Sequence, residues 1–144
     1  MIEKIHNGEE LMALIIRKTF SKDGIEFFTP YDYAQQVGYM KRPKGYIIKP
    51  HVHYQIPRKI STLQEVLFVK RGKIRVDFFS DDQVYIISET LQEGDFIILI
   101  SGGHGFKMLE ETEIVEVKQG PYLEEKDKEK FDPVDDARII LKNE

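Results

Sequence analysis

The chain of 144 residues is 41% hydrophobic and 32% charged, with nine Phe and seven Tyr, a composition that excludes a disordered polypeptide and favours one globular domain. Its net charge of −4 comes from 21 basic and 25 acidic residues that are interspersed along the chain, which argues against a nucleic-acid partner. The absence of cysteine excludes disulfides and thiolate chemistry, so any metal must be bound through nitrogen and oxygen atoms.

The apolar runs are short compared with the ~20 residues of a membrane-spanning helix. The first residues, MIEKIHNGEELMALIIRK, contain acidic side chains and no small-residue cleavage site, unlike a secretory leader. We therefore expect a cytoplasmic protein with no membrane partner.

Short segments rich in Ile, Val, Phe and Tyr recur along the chain, separated by Gly, Pro, Asp and Ser at intervals of roughly ten residues. This spacing predicts an all-β fold, either a sandwich or a barrel. Residues 30–36 (PYDYAQQ) fit a helical turn or a loop and are expected to be irregular. The predicted strands are 11–20, 25–29, 37–41, 46–50, 65–71, 73–80, 84–89, 95–100, 105–109 and 113–119.

Turn signals join several of these strands into a meander over residues 65–90. Arg71-Gly72 predicts a tight reversal, and residues 80–83 (SDDQ) supply the short polar side chains that hairpin turns favour. We expect a β-barrel over residues 1–120 and a charged extension over residues 121–144, packed on or near the barrel. The mixed charges of this extension favour a solvated helix or strap over a regulatory arm.

The chain contains four histidines, and His51 and His53 directly follow the predicted strand 46–50. Residues i and i+2 of an extended chain project to the same side, so these imidazoles are directed into one space. Glu65 shares its alternation with Leu67 and Val69, and a carboxylate on such an apolar face is costly unless it is paired or binds a metal. Two histidines nearby would explain its position.

A third histidine, His104, lies in the segment ISGGHGF, where the flanking glycines permit a tight bend and close packing. Taken singly, a His pair, a Glu before an apolar run and a glycine turn are each ordinary structural features. Their joint occurrence favours a shared metal site. The fourth histidine, His6, is interpreted as an ordinary surface residue.

These residues occur in the order of the two sequence motifs of the cupin superfamily. The first motif, Gly, five residues, His-x-His, a spacer, Glu, six residues and Gly, resembles residues 45–53 (GYIIKPHVH) followed by residues 65–72 (EVLFVKRG). The second motif, a glycine, a strand and a glycine-rich turn with a histidine, resembles residues 94–104 (GDFIILISGGH). From the first motif to the second, the resemblance spans residues 45–106, nearly half of the chain.

The sequence departs from the cupin pattern at two places. The spacer at residues 54–64 (YQIPRKISTLQ) is much longer than is usual, and Ile100 stands where the second motif has proline. The long spacer leaves Gln64 as an alternative to Glu65, although the distance from Glu65 to Gly72 is preserved. We expect the spacer to arch over the mouth of the barrel.

The resemblance implies a metal-binding cupin with a double-stranded β-helix, a jelly-roll-like barrel that holds one divalent metal ion. It assigns the ligands to His51, His53, Glu65 and His104, and it implies a homodimer built with the N-terminal strands. More narrowly, the chain resembles small bacterial single-domain cupins, some of them associated with polysaccharide biosynthesis. This likeness implies a small, oxygenated and sugar-related ligand.

Three histidines and one carboxylate would leave about two positions open on an octahedral ion, and Fe, Mn, Ni, Zn and Co all accept such ligands. The sequence does not choose among these metals, and it assigns no catalytic acid or base. Candidate residues for an apolar wall, each of which is more often a core residue, are Leu67, Val69, Ile97 and Leu99. Candidate residues for the substrate pocket are Lys49, Tyr54, Gln55, Phe106, Met108 and Gln119.

Three functions fit these residues. The first is a metal-dependent enzyme, a dioxygenase, isomerase or lyase, that binds a small oxygenated molecule at the open metal positions. The second is a non-enzymatic metal- and ligand-binding or sensing module. The third is a metal-independent isomerase or epimerase of sugar nucleotides that uses a histidine as general base.

Overall fold

The computed structural model describes residues 1–142, with the side chains of residues 124 and 125 left out. Its regular structure consists of antiparallel strands and two short 3₁₀ helices, at Glu124–Asp127 and Asp136–Arg138, which confirms the all-β prediction. The strands are β1 (Ile2–Asn7), β2 (Glu10–Ile16), β3 (Gly24–Phe27), β4 (Gly38–Lys41), β5 (Glu65–Arg71), β6 (Lys73–Phe79), β7 (Tyr85–Gln92), β8 (Phe96–Leu99), β9 (Gly103–Met108) and β10 (Glu113–Lys118).

The chain divides into two compact units. The first consists of residues 1–20 and 64 onward, and the second consists of residues 21–63. The sequence-based division into a barrel over 1–120 and an extension over 121–144 stays a prediction. Residues 143 and 144, at the end of that extension, lie outside the described residues.

The first unit contains a five-stranded sheet, in the order β1-β2-β8-β5-β10, and a three-stranded sheet, in the order β7-β6-β9. Alternate side chains of both sheets form one hydrophobic core, as expected where two sheets face each other. Each such side chain stabilises the fold by roughly 1.5–3 kcal/mol through burial. The sheets are open, and the described residues do not form a closed barrel. The core residues include Ile15, Leu67, Val69, Ile74, Val76, Phe78, Leu91, Ile97 and Leu99.

The second unit contains a two-stranded antiparallel sheet formed by β3 and β4. The connection between these strands is irregular, as expected, and is closed by the Thr29 hydroxyl, which accepts a hydrogen bond from the Val37 backbone N–H at 3.1 Å. The remainder, residues 42–63, carries no strand or helix in the structure.

Nine of the ten predicted strands correspond to strands of the structure, with ends shifted by a few residues. The prediction of a strand at residues 46–50 differs from the structure, in which Tyr46, Ile47 and Ile48 are exposed and lie outside the sheet of their unit. A strand needs a partner for its backbone groups, and Pro50 also lacks a donor. The sequence analysis missed β1, an edge strand, because its polar residues interrupt the run of apolar side chains by which the other strands were recognised.

The C-terminal segment up to residue 142 belongs to the first unit and packs on its three-stranded sheet. Leu141 forms a parallel bridge with Ser88 of β7, and the Phe131 ring contacts the Phe79 ring with centroids 5.0 Å apart. The sequence-based assignment of residues 121–144 as a solvated helix or strap stays a prediction. Among the described residues, no helix is long and apolar enough to cross a membrane.

Candidate metal centre

Glu65 and His104 lie side by side in the first unit, at the two positions where the sequence motifs place them. Glu65 begins β5 and shares its face with the core residues Leu67 and Val69. His104 lies on β9 directly opposite the core residue Phe78, so it shares that inward face. The two side chains therefore meet between the sheets, with His104 Nε2 at 3.3 Å from Glu65 Oε2.

The 3.3 Å separation is suited to two ligands of one ion. Ligand atoms that each lie about 2.1 Å from a metal are about 3.0 to 3.4 Å apart in octahedral or tetrahedral geometry. An ion could therefore replace the direct contact between Glu65 and His104 with little movement of either side chain. Their chemistry, one carboxylate and one imidazole, is that of an N/O metal site.

The charge state of Glu65 also suits a metal ligand. The hydrogen bond from His104 lowers the pKa of this carboxyl, and it outweighs the opposing effect of burial. The Lys118 ammonium, 3.7 Å from Glu65 Oε1, lowers the pKa further. Glu65 is therefore ionised at neutral pH, which is the form that coordinates a metal.

The alternative ligand Gln64 lies in a different environment. It is 4% exposed, and its backbone N–H donates a hydrogen bond to Gln119 Oε1 at 2.8 Å. Gln64 precedes β5, which begins at Glu65. The contact with His104 belongs to Glu65, which favours Glu65 over Gln64 as the ligand.

His51 and His53 form a second pair, in the second unit. Their rings are exposed and T-shaped, with centroids 5.1 Å apart, so the two imidazoles share one side of an extended segment as the i, i+2 spacing predicted. His51 Nδ1 lies 3.0 Å from the Lys49 carbonyl oxygen. In the tautomer that makes this bond, Nδ1–H donates to the carbonyl and Nε2 keeps its lone pair for a metal.

The four predicted ligands thus lie in two pairs, Glu65 with His104 in the first unit and His51 with His53 in the second. Among the side chains that the structure describes, no group of three or more His, Cys, Asp or Glu residues is arranged to hold a metal ion. No family model, curated protein or solved structure matches this chain. The four-ligand site stays a prediction, which the motifs and the geometry of the two pairs support.

The glycine-rich turn before His104 is required by packing. Gly102 has a φ of +71°, in the left-handed region that favours glycine. A Cβ at this position would overlap the side chain of Met12 and the carbonyl oxygen of Phe79. The sequence ISGGHGF is therefore explained by a close backbone approach that fixes the start of β9, directly before His104.

The predicted pocket residues fall into two environments. In the first unit, Phe106 and Met108 follow His104 on the same face of β9 and are 38% and 50% exposed, and the rings of His104 and Phe106 are 5.4 Å apart. The predicted wall residues Leu67, Val69, Ile97 and Leu99 are members of the hydrophobic core. In the second unit, Lys49, Tyr54 and Gln55 are exposed.

Two residues beside the site were missed by sequence reasoning. Lys118 is paired with Glu65 across β10 and β5, and Phe131 lies against the turn that precedes His104, near Gly103. The position of Lys118 beside Glu65 is set by the register between two strands that are distant in sequence. Periodicity alone does not predict that register. Phe131 is the only aromatic residue between residues 124 and 144, and that isolation was a signal for a packed position.

Proposed function

We propose that the chain is a metal-dependent cupin that binds a small oxygenated, sugar-related molecule at a divalent ion. The ligands of the ion are His51, His53, Glu65 and His104. The observation that carries this proposal is the contact of Glu65 with His104 at 3.3 Å, because it joins one residue from each sequence motif.

The fold part of the proposal is the double-stranded β-helix. It is supported by the way the chain of the first unit passes repeatedly from one of its two sheets to the other between β5 and β10. β5, β8 and β10 belong to the five-stranded sheet, whereas β6, β7 and β9 belong to the three-stranded sheet. A chain that winds repeatedly between two sheets is typical of jelly rolls.

When bound, the ion supplies Lewis-acid polarisation or redox activation of a coordinated oxygen atom. The chain's own residues supply charge and apolar surface beside the ion. The ionised Glu65 would offset part of the ion's charge, and the Phe106 ring presents apolar surface next to His104. An enzyme of this kind would be a dioxygenase, an isomerase or a lyase.

A second candidate function uses the same pair without a metal. A carboxylate that orients an imidazole is a common arrangement for a general base, and Glu65 lies within reach of His104 Nε2. This arrangement favours the metal-independent isomerase or epimerase of sugar nucleotides. A non-enzymatic binding or sensing module would use the metal site and form no product.

Elemental analysis of protein purified anaerobically without a histidine tag separates these functions. The proposal predicts about one Fe, Mn, Ni, Zn or Co ion per chain. The variants His51→Ala and His104→Ala should each lower the affinity for that ion by at least about 100-fold, because second-layer residues alone contribute 10- to 100-fold. The matched variant His6→Ala should keep the affinity of the wild type.

A purified protein with no stoichiometric metal, and no affinity for added metal, would overturn the metal proposal and favour the general-base function. Two ions per chain, one retained in each single variant, would show that the two histidine-containing segments bind metal separately. The predicted homodimer is a further part of the proposal and is checked by light scattering.

A further inference from the structure

The outer face of the three-stranded sheet is buried although it points away from the core. Along β6, the side chains Ile74, Val76 and Phe78 face the core, so Arg75, Asp77 and Phe79 face outward. These outward residues are nevertheless only 8%, 4% and 5% exposed. The C-terminal segment 131–142, here called the strap, covers them.

The strap is bound to β7 by backbone hydrogen bonds at its end. The Ser88 N–H donates to the Ile140 carbonyl at 2.8 Å, and the Lys142 N–H donates to the Ser88 carbonyl at 3.1 Å. The Tyr85 hydroxyl accepts a bond from the Ile140 N–H at 2.9 Å. The strap therefore adds to the sheet as a short ordered element rather than lying loosely on it.

At its other contacts the strap holds β9, the strand that carries His104. The Phe131 ring packs edge-on against Phe79, and a Cβ at Gly103 would lie 3.3 Å from the Phe131 ring. Asp136 forms ion pairs with Lys107 of β9 and with Arg75 Nη1 of β6, the latter at 2.9 Å. The strap thus contacts β9 directly before His104 and three residues after it.

Asp136 is suited to hold these two strands together. Its pKa is lowered by the Lys107 and Arg75 hydrogen bonds, so the carboxylate is ionised at neutral pH. Arg75 in turn is fixed by two bonds to the buried Asp77, at 2.7 and 3.0 Å. An isolated surface ion pair usually contributes little to stability, because its side chains lose conformational freedom when they pair. Arg75 is already fixed by Asp77, so less conformational freedom is lost when Asp136 binds it.

The position of β9 makes such support consequential. In the described sheet β9 pairs with β6 on one side only, and edge strands open more readily than central ones. Its inner face carries His104, Phe106 and Met108, while its outer face carries Gly103, Gly105 and Lys107. Contacts on the outer face therefore restrain His104 on the inner face through the same backbone.

We infer that the strap is a brace that sets the metal affinity of the site, with Phe131 and Asp136 as positioning residues for His104. This inference rests on the proposed function, because it concerns the same metal site. By reciprocity, a bound ion must also stabilise the strap. The sequence alone favoured a solvated helix or strap over residues 121–144 and assigned it no role at the site.

The test uses the full-length protein titrated with Mn(II), together with hydrogen exchange of residues 103–108 in the metal-free protein. Asp136→Asn and Phe131→Ala should each raise the Kd for Mn(II) about 10-fold, as loss of a residue that orients a ligand does. Both should also speed exchange at residues 103–108 more than in the five-stranded sheet. Asp132→Asn, a matched change in the same strap, should leave both quantities unchanged.

A spectroscopic signature and a rescue distinguish positioning from general stability. At saturating Co(II), Asp136→Asn should change the visible absorption of the bound ion, since a displaced His104 alters its ligand field. Asp136→Glu, which keeps the charge, should recover most of the affinity.

An unchanged Kd in folded Asp136→Asn and Phe131→Ala proteins would overturn the inference, as would an exchange increase spread evenly over the first unit. A wild-type protein that binds no metal would overturn the proposed function and the coupling with it. Failure of the brace alone is recognised by tight wild-type binding that the strap variants do not weaken.

Discussion

The two halves of the candidate site differ in how they are held. Glu65 and His104 lie on strands that are each hydrogen-bonded into a sheet, β5 in the five-stranded and β9 in the three-stranded sheet, and the turn before His104 admits only glycine at position 102. His51 and His53 lie on an exposed segment without strand pairing. The first pair is preorganised by the fold, whereas the second has the correct spacing but lacks fixed surroundings.

This difference teaches that a ligand motif and its rigidity have separate origins. The i, i+2 spacing of His51 and His53 is a property of the local chain, and the structure retains it at a centroid separation of 5.1 Å. The proximity of Glu65 and His104 requires two sheets to pack against each other. Metal binding would have to order the segment that carries His51 and His53.

The largest expected effect compares the same substitution in the two regions. Ile74→Ala removes a side chain that is 0% exposed in the core and should lower the free energy of unfolding by about 2–5 kcal/mol. Ile47→Ala removes a side chain that is 78% exposed and should change it by less than about 0.5 kcal/mol. Urea unfolding of the metal-free proteins measures both.

An equal decrease in the free energy of unfolding for the two isoleucine variants would contradict this comparison, because it would mean that residues 46–48 are packed as firmly as the core. A larger effect of Ile47→Ala in the presence of metal than in its absence would sharpen it. That result would show that the segment becomes packed when the ion binds.

A smaller effect concerns the ionisation of Glu65 in the metal-free protein. Its pKa should lie below that of an ordinary glutamate, and His104→Ala should raise it, because the hydrogen bond from His104 is the main cause of the lowering. Lys118→Met should raise it less, since Lys118 contributes less. A carbon-13 NMR titration of the Glu65 carboxyl measures these values.

The sign of the linked stability follows from the lowered pKa. The unfolded chain binds a proton on Glu65 at a higher pH than the folded chain, so the pair stabilises the fold above the unfolded pKa of about 4.3. That contribution disappears as the pH falls through the lower pKa of the folded state. A pKa of Glu65 that does not respond to His104→Ala would contradict the contact between them.

Much of the fold was predictable from the sequence, because strands such as β5 and β6 alternate regularly and end at turn residues like Gly72. The motif spacing predicted that Glu65 and His104 share a site, and the structure brings these two side chains into contact. The strap contacts of Phe131 and Asp136 were not, because they depend on tertiary packing between distant segments. The predicted strand at 46–50 illustrates the same point, since apolar residues need a partner to form a strand.

Hydrogen exchange of residues 46–60, with and without the metal found by elemental analysis, tests most directly whether one ion joins the two pairs. The account predicts that metal slows exchange in this segment, by up to about 100-fold at a free concentration 100 times the Kd. Residues 24–27 of β3 serve as the internal control and should change little. Tight metal binding that leaves exchange at residues 46–60 unchanged would contradict the four-ligand site.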